Sequence, residues 1–307
     1  MRWSVQSSHT RRLVRVAATA AGVGAVVLAG MGPGALASTV SGRGTSGIVL
    51  PPKDPAVAAL VPASVRARGS VTVAMDATYA PDEFVAANGR TIVGMDADFN
   101  AALGAVMGIK WHGVDATFDT IIPGLQSGKF DVGNSSFTVT PARAKVVNFV
   151  TYFQAGEGYY VKDSSSLRLD GLLSLCGKTV SVESGTTEQS DAENESTTCK
   201  KDHKSAVTVL TFSDQNEANL AVSSGRAQIG FADSQVAGYI VQQSHGQFKL
   251  DGSAFKVAPY GVAFPKASKL DRATLAAFKV LMRDGVYAKI LAKWGVQSGA
   301  IARPAID

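Results

Sequence analysis

The sequence predicts an α/β protein built on a largely parallel sheet, for two reasons. Short segments rich in Val and Ile alternate with segments whose apolar residues recur three and four positions apart. The first pattern is typical of strands and the second of amphipathic helices. Their alternation favours a sheet covered by helices. Because it occurs in two series, at 70–136 and 178–243, we expect two α/β units with a cleft between them.

The elements follow from this pattern in chain order. After a short helical stretch at 56–69, the first series has predicted strands at 70–75, 90–96, 109–114 and 129–136, and helices at 96–108 and 118–128. The second has predicted strands at 178–184, 208–213 and 227–233, a helix after 185–189, and helices at 216–225 and 234–243. A strand at 260–266 and one or two helices within 271–295 follow.

The net charge of the chain is concentrated near its N terminus. There are 30 Lys and Arg against 25 Asp and Glu, a formal charge of +5. Four arginines, Arg2, Arg11, Arg12 and Arg15, lie in a segment without acidic residues, and without them the net charge is about +1. Composition therefore gives no support to nucleic-acid binding.

The same segment has the three parts of an export signal. Its arginines precede an apolar run at 16–31, and Ala35-Leu36-Ala37 offers a cleavage site. Because the run is short for a membrane-spanning helix, we expect a cleaved signal peptide at 1–37 rather than an uncleaved anchor. The protein is then extracellular, associated with the cell surface or periplasmic. Arg11-Arg12 leaves a twin-arginine route open beside ordinary secretion, and residues 38–65 are expected to form a linker and a short helix.

The chain has two cysteines, Cys176 and Cys199. In an exported protein an even pair favours a disulfide, which would close a loop of roughly two dozen residues and contribute about 3 kcal/mol. Two unrelated buried thiols are the alternative. No cysteine follows the apolar run, so we expect no lipid anchor there. The cysteines and the four scattered histidines have no spacing typical of a metal site.

Polar residues collect at the ends of three predicted strands. The segment NSSFTVTPAR at 134–143 carries hydroxyl groups at Ser135, Ser136 and Thr138 and ends in Arg143. The segments ESGTTEQ and FADSQ follow two other strands. In open α/β sheets, ligands bind beyond the carboxyl ends of the strands. We therefore expect all three segments to face one cleft.

Together these segments have the chemistry of a site for a zwitterion. The guanidinium of Arg143 matches a carboxylate, and a helix that begins near Thr186 and Thr187 offers free N–H groups and a favourable dipole. Asp233 would complement an ammonium group. Each feature alone has an ordinary explanation as a cap, a turn or a surface charge. An α-amino acid is the ligand that fits all of them.

From about Val57 to Ile301 the chain resembles the periplasmic-type solute-binding proteins that deliver polar amino acids to ABC importers, bacterial extracellular solute-binding family 3. The resemblance is carried by TIVGMDADFNAAL, FDTIIPGLQSGKFDV, SSFTVTPARAKVVNF, SVESGTT, FADSQVAGY and DGVYAKILAKWG. The cysteine pair resembles that of an actinobacterial subset of the family.

The resemblance implies a two-lobed clamshell, the type II periplasmic-binding-protein fold, in which the chain crosses twice between the lobes. Lobe 1 would comprise residues 66–158 and 262–307, and lobe 2 residues 159–261. The hinge would lie in the strands at 156–163 and 256–264.

The resemblance also implies how the ends of the ligand are bound. Arg143 would bind the α-carboxylate with help from Thr138 and Thr187. Asp233 would bind the α-ammonium together with the backbone carbonyl of Ser136. The complete set of predicted ligand-binding residues is Asp76, Tyr79, Phe118, Asn134, Ser135, Ser136, Thr138, Arg143, Glu183, Thr186, Thr187 and Asp233.

The resemblance further implies that Asp76, Tyr79 and Phe118 contact or cover the ligand side chain. Asp76 and Glu183 together favour a cationic side chain such as that of arginine, lysine or ornithine. Asn134 would suit an amide equally well, and Glu183 has the alternative of a salt bridge or a solvent-facing position. The prediction is a polar ligand, with a cationic one favoured.

The expected function is capture of a polar L-amino acid by lobe closure and its delivery to an ABC import permease. The protein is expected to act as a monomer without catalytic residues, cofactor or metal. Two alternatives stay open. One is an enzyme that resembles cyclohexadienyl or arogenate dehydratases on the same fold, with Glu183 or Asp76 as the acid. The other is a ligand-sensing partner of a membrane receptor.

Overall fold

The computed structural model describes residues 47–307, so the predicted signal peptide at 1–37 lies outside the described residues. The strands are β1 Ser70–Met75, β2 Thr78–Tyr79, β3 Glu83–Val85, β4 Ile92–Val93, β5 Lys110–Asp115, β6 Val132–Gly133, β7 Val147–Lys162, β8 Thr179–Glu183, β9 Thr208–Phe212, β10 Ile229–Asp233 and β11 Phe248–Pro265. The helices are α1 Pro55–Leu60, α2 Ala63–Arg68, α3 Met95–Met107, α4 Phe118–Gln126, α5 Pro141–Ala144, α6 Thr187–Lys201, α7 Gln215–Ser224, α8 Ser234–Gln243, α9 Leu270–Arg283 and α10 Val286–Trp294. Short 3₁₀ turns lie at Leu172–Leu175 and Gln297–Gly299.

Eight of these strands form one mixed sheet in the order β5-β1-β6-β11-β7-β10-β8-β9. Strand β1 pairs in parallel with β5 and β6, and β8 pairs in parallel with β9 and β10. We call β1, β5 and β6 with their helices the first half, and β8, β9 and β10 with theirs the second half. The long strands β7 and β11 pair antiparallel and connect the two halves. The predicted parallel pairing is therefore present in each half, while the middle of the sheet is antiparallel.

The two connecting strands are longer than the sequence pattern indicates. Strand β7 has 16 residues, nearly all buried, because the sheet is covered on both faces there. Strand β11 has 18 residues and pairs with β7 through irregularities between Asp251 and Phe255 and between Phe255 and Ala258. Apart from Asp163, the predicted hinge segments at 156–163 and 256–264 lie within these two paired strands, so both chain connections between the halves run side by side.

Most predicted elements occur within a residue or two of their expected positions. Two predicted strands are much shorter: the one at 90–96 is reduced to β4, which belongs to a small separate sheet with β2 and β3, and the one at 129–136 is reduced to β6. The helical stretch at 56–69 is divided into α1 and α2 around Pro62, since the residue before a proline avoids helical geometry.

A close backbone approach fixes the loop that precedes α3. Gly94 has φ +134°, and a Cβ atom there would lie 2.1 Å from the carbonyl oxygen of Asp82. Only glycine fits such a position. The loop is therefore held against the start of α3, whose Phe99 stacks on Tyr287 at 5.5 Å in the core of the first half.

Cys176 and Cys199 form a disulfide with a sequence separation of 23, which confirms the predicted pairing. It attaches the last turn of α6 to the 3₁₀ turn at Leu172–Leu175. A loop of this size stabilises the fold by about 3 kcal/mol. Within residues 47–307, no helix combines the length and apolar character needed to cross a membrane.

Candidate functional site

A small cavity lies between the two halves, at the carboxyl ends of their parallel strands. It is lined by residues of both halves: Tyr79, Phe118, Ser136, Thr138, Arg143, Thr186, Thr187, Glu188, Gln215, Phe231, Ala232, Asp233 and Val236. The three polar strand ends that the sequence analysis selected thus meet at one place. Asp76, Asn134, Ser135 and Glu183 were also predicted, and they lie behind the cavity lining rather than in it.

Arg143 is fixed on the first half with its guanidinium in the cavity. Helix α5 is capped by Thr140, whose side chain accepts a hydrogen bond from the Arg143 amide at 3.2 Å. The guanidinium donates to the carbonyl oxygens of Thr138 at 2.8 Å and Gly185 at 2.9 Å, and lies 5.1 Å from the centre of the Phe118 ring. Because a guanidinium has five N–H groups, donors remain for a ligand anion.

The N terminus of α6 faces Arg143 from the second half. Thr186 caps this helix by accepting a hydrogen bond from the Gln189 amide at 3.1 Å. Gly185 precedes the cap with φ +79°, and a Cβ atom there would lie 2.8 Å from Asp119 of helix α4. Glycine therefore permits the close approach of this turn to the first half. The first N–H groups of the helix favour an anion beside the guanidinium.

Asp233 ends strand β10 of the second half, and Glu188 lies next to it. Burial first, and then the charge of Glu188, raises the pKa of Asp233 well above its ordinary value. The Tyr260 hydroxyl beside Asp233 opposes this rise. The two carboxyl groups interact directly, and both attract the Arg143 guanidinium. This part of the cavity therefore brings two buried carboxyl groups together with one guanidinium.

Sequence reasoning missed Glu188. It is the second residue of α6, where an acidic residue usually interacts favourably with the helix dipole. The structure buries it to 2% exposure, with one oxygen accepting from the Thr187 hydroxyl at 3.1 Å. The other oxygen is buried without a hydrogen-bond partner in the described part of the chain. Only the run Thr-Thr-Glu at a strand end, with the glutamate directly after the predicted anion site, could have indicated it.

A second pair of acidic groups, Asp76 and Glu183, lies behind Tyr79. Asp76 accepts hydrogen bonds from the Thr78 hydroxyl at 2.6 Å and from the Phe118 amide at 2.9 Å. Glu183 is 1% exposed, and its carboxyl group lies next to the carboxyl group of Asp76 and the hydroxyl group of Tyr79. Burial and the charge of Asp76 raise the pKa of Glu183 to about 11. Glu183 is therefore neither solvent-facing nor in a salt bridge of the described residues.

The two aromatic residues predicted to cover the ligand pack in the hydrophobic core and also line the cavity. Tyr79 and Phe118 are 6% and 5% exposed, and their rings meet edge to face at 5.6 Å. Phe118 also stacks on Phe137 at 4.6 Å. Packing from behind holds both rings in place at the cavity wall.

Asn134 and Ser135 point into the first half instead of the cavity. The amide nitrogen of Asn134 donates to the side-chain oxygen of Asn100 at 2.9 Å. The Ser135 hydroxyl donates to Glu83 at 2.7 Å and accepts from the Asp76 amide at 2.8 Å. Ser135 therefore supports Asp76 from behind.

Ser136 lies at the cavity with the unusual φ of +49°. Its amide donates to Asp96 at 3.1 Å and its hydroxyl to Asp82 at 3.0 Å. Asp82, Glu83 and Asp96 are all fully buried, a cluster that sequence reasoning did not find because its members are distant in the chain from Ser136. The cluster holds the backbone of Ser136 in its strained conformation.

The chain is similar in sequence and structure to characterised solute-binding proteins. It is 31% identical over 260 residues to the arginine-binding protein ArgT of Corynebacterium glutamicum, covering 84% of this chain and 85% of the relative. Among solved structures it is similar to an ancestral arginine-binding protein bound to arginine, with a TM-score of 0.68, 34% identity, and coverage of 74% of this chain and 98% of that one.

A second solved structure bears on the enzyme alternative. An ancestral amino acid-binding protein, AncCDT-1, described as a precursor of cyclohexadienyl dehydratase, matches with a TM-score of 0.67 and 32% identity over 75% of this chain and 97% of that one.

These neighbours confirm the predicted two-lobed α/β fold. Residues 71–297, which include both halves of the sheet and every residue of the cavity, match the family of bacterial extracellular solute-binding proteins, family 3, and this chain is a member of that family.

Proposed function

We propose that this protein binds an L-amino acid in the cavity between its two halves. The observation that carries the proposal is the arrangement of charge across the cavity. Arg143 and the N terminus of α6 offer donors for a carboxylate, while Asp233 and Glu188 offer acceptors for an ammonium group. A buried charge needs a partner of opposite sign, and a zwitterion supplies both partners at once. The ArgT relative and the ancestral structure are named for an amino acid, which agrees with this proposal.

We further propose that the ligand side chain is cationic. Asp76 and Glu183 form a buried acidic pair next to Tyr79, which lines the cavity. Asn134, the residue that favoured an amide, points away from the cavity. Arginine, lysine and ornithine are the amino acids of the required class.

Capture would proceed by closure of two lobes, with lobe 1 at 66–158 and 262–307 and lobe 2 at 159–261. Four hydrogen bonds support this division because each joins one proposed lobe to the other: Arg143 to Gly185, Ser184 to Asp119, Gln215 to Thr78, and Gln235 to Asp82. A ligand that contacts both lobes binds the closed form more tightly and shifts the population toward it.

Delivery completes the proposed cycle. The closed form would dock, as a monomer outside the cytoplasm, on the permease of an ABC importer, and this step rests on membership of the family. A dehydratase is not favoured, because the neighbour that is linked to that activity is itself named an amino acid-binding protein. Sensing through a membrane receptor would use the same site and the same closure.

Thermal unfolding with each common amino acid and ornithine tests the proposal. A ligand at 100 times its Kd stabilises the folded state by about 2.7 kcal/mol, which raises Tm by roughly 5–10 °C for a protein of this size. We expect such a shift with one or a few cationic amino acids. Absence of a shift with every amino acid would overturn the proposal. New ultraviolet absorbance on mixing with prephenate or arogenate would instead support the enzyme.

A further inference from the structure

Asp76 and Glu183 face each other across the boundary between the two halves. Asp76 follows strand β1 of the first half, and Glu183 ends strand β8 of the second. They are 2% and 1% exposed. Asp76 is satisfied by its own half, through Thr78 and Phe118. Neither carboxylate oxygen of Glu183 has a hydrogen-bond donor as a partner within residues 47–307.

The surroundings of this pair add negative charge. Besides Asp76, the groups that act on Glu183 are the Tyr79 hydroxyl and Asp214, which lies just before α7. Asp115, at the end of β5, acts on Asp76. No salt bridge among the described residues includes any of these carboxyl groups.

Two carboxyl groups in contact away from water cannot both be ionised at low cost. Asp76 and Glu183 are both buried at the boundary between the halves and interact with each other there, so the closed arrangement is favoured when one of them holds a proton. When the halves separate, each group regains water, and both ionise at neutral pH. Closing therefore needs one positive charge at this point.

We propose that Asp76 and Glu183 act as a charge gate, so that the two halves close only when one positive charge, from a ligand side chain or from a proton, lies between them. This inference rests on the proposed amino-acid binding and names its selectivity step. A cationic side chain supplies the charge itself. A neutral side chain of the same shape closes the protein only together with a proton from solution.

The gate predicts a difference in pH dependence between matched ligands. With a neutral ligand the closed form holds a proton that the open form lacks above about pH 5, so affinity falls up to about tenfold for each pH unit. A cationic ligand binds without uptake of this proton, so the gate adds no pH dependence to its affinity. Other buried carboxyl groups, including Glu188 and Asp233, close around both ligands alike. The difference between the two ligands therefore isolates the pair Asp76 and Glu183.

The test is isothermal titration of the purified protein from pH 5 to 9, in two buffers that differ in ionisation enthalpy. The cationic amino acid selected by thermal unfolding is compared with its uncharged counterpart, citrulline for arginine or norleucine for lysine. We expect the neutral ligand to bind with uptake of one more proton, and the affinity ratio to rise by about tenfold per pH unit. Equal proton uptake would overturn the gate, as would no binding of the neutral ligand at pH 5. Binding of neither ligand would overturn the proposed function, and the gate with it.

Glu183→Gln supplies the matched variant, because it removes the charge and keeps the shape. The variant should bind the neutral ligand more tightly at pH 8, lose the pH slope for it, and bind the cationic ligand less tightly. Glu193→Gln makes the same change at an exposed position on α6 and should behave as the wild type. An unchanged pH slope in a folded Glu183→Gln protein would contradict the gate.

Discussion

The guanidinium of Arg143 donates a hydrogen bond of 2.9 Å to the backbone carbonyl oxygen of Gly185, which connects the first half of the protein to the second. A second donor of the same group binds the Thr138 carbonyl at 2.8 Å within the first half. Arg143 therefore holds the turn that begins helix α6 while it presents its remaining donors to the cavity. One side chain thus joins the two halves and would also bind the carboxylate of the proposed ligand.

Replacement of Arg143 by alanine should abolish most amino-acid binding. The change removes the cation beside Glu188 and Asp233 and the hydrogen bond to Gly185. Loss of one partner of a buried, hydrogen-bonded charge pair typically costs 2–5 kcal/mol, so we expect Kd to rise by about 100-fold or more in calorimetric titration. Arg226→Ala is the control, since that guanidinium lies over the Phe212 ring outside the cavity lining. Wild-type affinity in Arg143→Ala would refute the carboxylate assignment.

The Thr78 hydroxyl should contribute to binding without touching the cavity. It donates to Asp76 at 2.6 Å and accepts from the Gln215 amide of the second half at 3.2 Å. Thr78→Val keeps the shape and removes both bonds. Because a hydrogen bond contributes about 0.5–1.5 kcal/mol, we expect roughly 3–10-fold weaker binding of a cationic ligand. Thr78→Ser keeps the hydroxyl and should restore the affinity, and equal loss in both variants would assign the effect to packing.

Removal of the disulfide should affect stability and leave binding intact. In the double variant Cys176→Ser and Cys199→Ser, the unfolded chain regains the freedom of a loop with a separation of 23 residues. The free energy of unfolding in urea should fall by about 3 kcal/mol. The ligand affinity should stay within about twofold, because the disulfide lies at the last turn of α6 and the proposed binding groups lie at its first turn. A large loss of affinity in the folded variant would show that the disulfide positions the site.

The sequence predicted the order of the elements and the convergence of three polar strand ends, because both follow from short-range periodicity. Arg143, Thr187 and Asp233 could be selected because each belongs to a polar segment that follows or ends a predicted strand. Asn134 could not be oriented, because the positive φ of Ser136 turns the chain just beyond it. The length of β7 could not be predicted, because a strand buried on both faces shows no alternation of polar and apolar residues.

The acidic cluster of Asp82, Glu83 and Asp96 depends on tertiary contacts that no local pattern reveals. Asp82 accepts a hydrogen bond of 2.6 Å from the side-chain amide of Gln235, across the boundary between the halves. Burial, together with the charge of Asp96, raises the pKa of Asp82 to about 7. An unfolded aspartate has a pKa near 3.9. The folded protein thus holds a proton on Asp82 that the unfolded chain loses between about pH 4 and 7.

This difference sets the sign of a pH effect on stability. The contribution of Asp82 is complete below about pH 4 and is lost as the pH rises to about 7, and each unit of difference is worth about 1.4 kcal/mol. Asp82→Asn removes the titrating group, so the free energy of unfolding in urea should decline by about 2–4 kcal/mol less than in the wild type over that range. Asp202→Asn, at an exposed position, should follow the wild-type curve. Parallel plots of unfolding free energy against pH for Asp82→Asn and the wild type would mean that Asp82 is ionised in the folded protein. The hydrogen bond from Gln235 to Asp82 would then join the two halves equally well at every pH.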